Sequence, residues 1–263
     1  MPDIHPTAII EDGAAIAADC VVGPYTIIGG GVTLAAGVVT ASHVVIEGAV
    51  EIGPRTKIGA FSAIGGPAQH LRAAEMEAGR VVIGADCILR EQVTVNAGLL
   101  TGDRTTRVGS KCFLMTGAHV AHDCDVADDV IITNHGTLAG HVHVGRGAII
   151  GGISAIHQFV RIGEYAFVGG MSGVEFDVIP FGMVVGNRAR LEGLNIVGLK
   201  RRGVGRDDIR ALRAAYDRLF ESGEPLSVAQ ERFGAASGNE LVDAVIGFIR
   251  ADTKRRFCVP ARD

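Results

Sequence analysis

Tryptophan is absent, tyrosine occurs three times, and all aromatics together make up 5% of the 263 residues. A core of stacked rings is therefore excluded, and the 48% hydrophobic content must be supplied mainly by Val, Ile, Leu and Ala. Cysteine is scarce and shows no pairing pattern: Cys20, Cys87, Cys112, Cys124 and Cys258 are odd in number and include no Cys-x-x-Cys spacing. This argues against a disulfide framework and a cysteine zinc site, and for a reducing, cytoplasmic location. No uninterrupted apolar run approaches the ~18 residues of a membrane span. Met1 to Thr7 has no basic patch leading into an apolar stretch, so neither an integral membrane segment nor a secretory leader is expected. The net charge of −4 gives no general case for nucleic-acid binding, and any arginine cluster has to be argued locally.

What the chain has in abundance is glycine, 37 copies, and an aliphatic residue at every sixth position. Val108, Leu114, Val120, Val126, Ile132, Leu138, Val144, Ile150, Ile156, Ile162, Val168 and Val174 keep that phase without a break. Ile4, Ile10, Ile16, Val22, Ile28, Leu34, Ile46, Ile52, Ile58 and Ile64 keep it earlier, with Thr40 the one exception. A helix repeats its apolar face near 3.6 residues and a half-buried strand near 2, so a sustained six requires a repeat in which each hexad adds a short strand and a turn. Glycine often follows the aliphatic residue, as at Gly23, Gly53, Gly109, Gly145 and Gly163, which predicts corners with unusual backbone dihedrals.

Residues 65–82 and 96–107 interrupt the phase and are expected to be outward loops that carry binding function. After about Gly203 the period becomes helical. Ile209, Leu212, Leu219 and Phe220 lie on one face, Asp207 and Asp208 suit a helix start, and Gly223 with Pro225 suits a stop. A short second helix is expected over 227–233, and Ser237 to Glu240 reads as a capping box before a third. The expected organisation is a β-solenoid over 1–186, a connection over 187–202 and an α-helical domain over 203–263 that caps the open end.

If three hexads make one coil, residues 18 apart stack on adjacent coils about 4.8 Å apart. His122, Gly140 and Gln158 then form one column, Asp123 and His141 the next, with His119 and His157 a few positions away. An imidazole working near neutral pH is the usual general base for an alcohol, and a backbone N–H beside a glycine is an unobstructed oxyanion donor. Together they suit acyl transfer. Two rival readings stand beside this one: solvated turn histidines with no chemistry, and a zinc site with an open position.

The runs His119-Val-Ala-His122-Asp123-Cys124, Thr137-Leu-Ala-Gly140-His141, Gly151 to Phe159 and Asn195 to Gly203 resemble the UDP-N-acetylglucosamine O-acyltransferase family of hexapeptide-repeat transferases, over almost the whole chain. The resemblance implies a mainly β fold, a left-handed parallel β-helix with a small α-helical C-terminal domain. It implies transfer of a 3-hydroxyacyl group from acyl carrier protein to the 3-hydroxyl of UDP-GlcNAc, at the start of lipid A synthesis. In that picture His122 is the base, Asp123 supports it and the Gly140 amide stabilises the oxyanion. His119, His141, His157 and Gln158 hold sugar, phosphates and thioester arm, and Gly170 sets acyl length. Asn195, Arg201 and Arg202 meet the nucleotide, and Gln69 and Arg72 reach donor or sugar. No metal or organic cofactor is implied beyond the phosphopantetheine arriving on the carrier protein, and the assembly implied is a homotrimer with sites between prisms.

The chain departs from the family pattern at His70, where the first loop usually has an acid, at Asn96, at Val197 and over Asn134 to Gly136. These changes leave base and oxyanion donor intact and bear on acceptor and acyl chain. An altered acceptor such as a 3-amino sugar nucleotide is one alternative, and a zinc hydro-lyase of γ-carbonic-anhydrase type is a separate one from a different enzyme class.

Overall fold

The computed structural model describes residues 1–73, 79–99, 104–234, 236–251 and 256–261. Hexads become strands of mostly two residues, each followed by a turn, and successive strands fall on three faces of a prism in rotation. Strands 113–114, 119–120 and 125–126 lie on the first, second and third faces, which form parallel sheets of eleven, nine and eight strands closed at one end by a single antiparallel strand. The expected 18-residue register is present: His119 pairs with Thr137, and Thr137 with Ala155. The first edge joins the first and second faces, the second edge joins the second and third, and the third edge returns to the first.

The period-six residues point inward. Val22, Ile28, Leu114, Ile132, Ile150 and Val168 are almost wholly buried, each worth roughly 1.5–3 kcal/mol of burial, which is what holds strands too short to persist alone. Thr40, the exception, is also buried, and its hydroxyl accepts the Gly23 N–H at 3.3 Å. A second inward column lies two residues earlier and takes small side chains. In uninterrupted coils several of these donate to a carbonyl 15 residues on: Thr26 to Ala41 at 2.9 Å, Ser154 to Gly169 at 2.9 Å, Cys20 to Ala35 at 3.1 Å and Cys124 to Ala139 at 3.1 Å. The five cysteines are free and buried, as parts of the core.

The glycines after the aliphatic residue have a different role from the one expected. Left-handed backbone falls two positions further on, at non-glycine residues such as Tyr25, Arg55, Lys111 and Tyr165. Glycine is required because the coils touch there: a Cβ would lie 2.4 Å from the Ala41 carbonyl oxygen at Gly23, and 2.4 Å from the Glu164 nitrogen at Gly145.

Both interruptions leave the prism at the second edge, between strands 63–64 and 80–83 and between strands 94–95 and 105–108. Asn96 ties them together by donating to the Pro67 carbonyl at 2.7 Å. The segment expected as a connection carries strand Arg190–Leu194, antiparallel to Gly182–Val185, and helix α1 (Ile196–Arg201). Helices α2 (Arg206–Phe220), α3 (Leu226–Ala229) and α4 (Glu240–Arg250) follow. The cap of α4 is Asn239 and not Ser237, because the Asn239 carboxamide reaches the N–H groups of Leu241 and Val242 at 3.1 and 3.2 Å. Fully buried Asp177 fastens the helices to the prism. It accepts Arg161 Nε at 2.7 Å and the Arg161 N–H at 2.9 Å, and the same guanidinium lies 4.4 Å from the Phe248 ring centre of α4.

Outward residues divide the faces by polarity. The first face presents Val21, Val39, Ile88, Phe113, Ile131, Ile149, Phe167 and Met183, interrupted by Lys57. The third presents Ala15, Thr33, Glu51, Val82, Arg107, Asp125, His143 and Arg161 in the same position, five of them charged or titratable.

Candidate active site

The turn after strand 119–120 passes round the second edge as Ala121-His122-Asp123-Cys124. Each coil hangs on its neighbour: the Asp123 N–H donates to the Thr106 hydroxyl at 2.9 Å, the His141 N–H to the His122 carbonyl at 3.0 Å, and the Phe159 N–H to the Gly140 carbonyl at 3.1 Å. Asp123, His141 and Phe159 share left-handed backbone, with φ of 58°, 60° and 66°, so their side chains succeed one another along the edge. His122, Asp123 and His141 are all buried.

His122 Nδ1 lies 2.8 Å from Asp123 Oδ2, and the Leu99 N–H of the second loop donates to both Asp123 oxygens at 3.1 Å. A carboxylate at Nδ1 fixes the proton of a neutral imidazole there and leaves Nε2 as the acceptor. That atom faces the space a side chain at 140 would fill: a Cβ would lie 2.7 Å from His122 Nε2 and 3.1 Å from Gln158 Nε2. No backbone acceptor among the described residues takes the Gly140 N–H. An imidazole nitrogen and a carboxamide thus converge on the space left bare at Gly140.

Burial disfavours the charged form of two neighbouring imidazoles. Burial pushes His119 below the ordinary histidine range, with nearby His122 adding to the effect, and Thr94 Oγ1 binds its Nδ1 at 2.7 Å. Burial also lowers His141, against the opposing pull of Asp123. The His141 ring meets His122 edge-on at 5.0 Å and stacks on Phe159 at 4.5 Å, 8° from parallel. His122, Asp123 and His141 each bring one ligand atom within 4.8 Å of the others, enough for a cation on distance alone. Tetrahedral zinc ligands lie only about 3.3 Å apart, since Zn–N bonds are about 2.0 Å, and Asp123 already grips His122, so the trio fits a supported base better.

Not every expected residue reaches this place. His157 is exposed beside the column, and Gln69 and Arg72 are exposed on the first loop, which leaves the same edge. Gly170 lies on the first edge, across the whole second face from His122. Asn195 caps α1 through the Gly198 N–H at 3.0 Å and donates to the Tyr165 carbonyl at 3.0 Å, while Arg202 lies 3.8 Å from the Tyr165 ring centre, so these two and Arg201 belong to the third edge. The contributions of Thr94, the Leu99 N–H and Phe159 were not expected. Phe159 was reachable as the next member of the Asp123–His141 column, whereas the Leu99 contact depends on how the loop folds back.

Comparison with known proteins finds relatives along nearly the whole chain. Residues 177–258 match the family model described as UDP N-acetylglucosamine O-acyltransferase, domain 2. The acyl-[acyl-carrier-protein]–UDP-N-acetylglucosamine O-acyltransferase of Paraburkholderia phytofirmans is 44% identical, covering 97% of this chain and 98% of its own. That of Sinorhizobium fredii is 42% identical, covering 98% and 96%. The crystal structure of the Moraxella catarrhalis UDP-N-acetylglucosamine O-acyltransferase superposes with a TM-score of 0.90 at 38% identity, covering 97% of this chain and 99% of that one. The fold is a left-handed parallel β-helix. Neither the zinc hydro-lyase nor the 3-amino acceptor finds support in these matches.

Proposed function

The chain belongs to the UDP-N-acetylglucosamine O-acyltransferase family, and from that membership we propose that its second edge performs acyl transfer with His122 as the base. It is an acyltransferase that moves an acyl group from acyl carrier protein to UDP-N-acetylglucosamine, the first step of lipid A synthesis. The observation that carries the site assignment is the 2.8 Å contact of His122 Nδ1 with Asp123, with Nε2 turned to the side-chain-free Gly140.

His122 Nε2 takes the proton of the sugar 3-hydroxyl as that oxygen attacks the thioester carbonyl carbon of a 3-hydroxyacyl donor. The carbonyl oxygen becomes an oxyanion facing the Gly140 N–H, and Asp123 stabilises the imidazolium. Collapse expels the pantetheine thiolate, which recovers the proton from Nε2. The ester is left on the sugar and the free thiol on the carrier. His119 and His141, with Gln158 and His157, offer hydrogen bonds to sugar and thioester arm. Gly170 leaves the groove open to a long acyl chain, and Asn195, Arg201 and Arg202 take the nucleotide. The reading requires no metal or organic cofactor.

One chain holds these groups on three edges, which favours a homotrimer whose sites lie between prisms. The apolar first face supports this, because such a stripe is ordinarily covered in a functional assembly. No helix among the described residues is long and apolar enough to cross a membrane, and five free thiols suit the reducing cytoplasm. The test is incubation with UDP-GlcNAc and a panel of 3-hydroxyacyl carrier proteins, with and without chelator, read by mass spectrometry. Ester product should form in both cases, and His122→Ala should lower the rate by about 10²–10⁴. Undiminished transfer by that variant removes His122 as the base.

A further inference from the structure

At the far end of the second edge, beyond the groups used above, lies a cavity of about 370 Å³. Arg188 and Arg190 from the terminal hairpin and Arg256 near the C-terminus line it, with Glu175, Phe176 and Val259. Glu175, the one acid there, is already engaged by a neighbour. None of the three arginines forms an ion pair among the described residues. Three arginines against one acid leave the described lining with an excess of positive charge, and an anion in the cavity relieves the repulsion among the arginines.

The position along the edge narrows what the anion is. Ala155 pairs with Gly173, and the His157 N–H donates to the Val174 carbonyl at 2.9 Å, so Glu175 and Phe176 turn the edge one coil beyond His157 and Gln158. Phe176 therefore stands three coils past His122, roughly 14 Å at about 4.8 Å per coil. The acceptor's diphosphate is bonded to the sugar and stays within roughly 9 Å of the reacting hydroxyl at ordinary bond lengths. A pantetheine arm, with two amide units and a cysteamine tail, puts its phosphate roughly 15–18 Å from the thioester when extended.

We propose that this cavity binds the phosphodiester of the carrier's pantetheine arm, held by the guanidinium forks of Arg188 and Arg190 with Arg256 adding charge. The proposal rests on the acyl-carrier reading above. It is tested with the full chain and an Arg188→Ala/Arg190→Ala variant against three donors: 3-hydroxyacyl carrier protein, free 3-hydroxyacyl phosphopantetheine and 3-hydroxyacyl pantetheine without phosphate. The expected result is a KM about tenfold or more higher for both phosphate-bearing donors, with kcat and the KM for UDP-GlcNAc nearly unchanged and no effect on the phosphate-free donor. An Arg188→Lys/Arg190→Lys variant should recover part of the loss.

Equal losses with all three donors, or no loss with any, would overturn the proposal. A loss confined to the intact carrier protein would reassign the arginines to its surface, and a raised KM for UDP-GlcNAc would reassign them to the nucleotide. Failure of the unmodified protein to use any of the donors would instead overturn the acyl-carrier reading on which the proposal stands.

Discussion

A single methyl group at position 140 would collide with the base. Its carbon would sit 2.6 Å from His122 Cε1 and 2.7 Å from Nε2, while the Gly140 backbone lies outside the left-handed region and tolerates alanine. Gly140→Ala should therefore keep a folded circular dichroism spectrum, lower the melting temperature because the held His122 ring must shift, and lower kcat by about 10² or more. A second expectation concerns His119 and His141, whose imidazoles burial holds below the ordinary range. A depressed folded pKa means that the unfolded chain binds more protons, so the stability these groups contribute is complete above about pH 6.5 and is lost as the pH falls below it. Urea titrations at pH 7.5 and 5.5 should show a lower midpoint at the acid value, and replacing both histidines with glutamine should narrow the gap. The column that gathers His122, Gly140 and Gln158 was legible by adding 18 to residue numbers, because regular coils conserve register. The Leu99 amide that grips Asp123 was not, because it arrives from an irregular loop.

Among the elements, the repeat was readable and its joints were not. Period-six aliphatic residues specify strand and turn wherever the count is unbroken, and the helical period after residue 203 specifies α2 and α4. The start of α4 moved from Ser237 to Asn239 because an asparagine side chain at that distance satisfies two free N–H groups directly. The glycines after the aliphatic residue serve contact between coils and not turn dihedrals, since a local sequence does not reveal that the next coil passes within contact distance. Asp177 is another such joint. With no exposure of its own and both an N–H and a guanidinium bound to it, Asp177→Ala leaves Arg161 partly buried without its partner. Such a loss costs about 3–5 kcal/mol, and limited proteolysis should then release the helical region while the prism resists.

At the scale of the whole molecule, polarity sorts the three faces: aliphatic and aromatic on the first, charged on the third. Covering the first face with another copy would remove its apolar area from water, and would let the first and third edges of one prism approach the second edge of another. Ile131→Asp, with Ile131 on the outer surface of that face, should therefore dissociate the assembly in sedimentation experiments. Activity should fall with it while the circular dichroism spectrum is kept. Wild-type sedimentation as a monomer would defeat this expectation.

The chain's order of residues determined the coil length, the inward columns, the places where loops emerge and which catalytic groups share a level, because a fixed period converts sequence distance directly into height along an axis. Only the tertiary structure decided which edge each loop leaves from, that Asp123 is clamped by a loop amide, and that the residues expected to serve one reaction stand on three separate edges. Those outcomes depend on contacts between segments far apart in sequence, whose geometry no local pattern encodes.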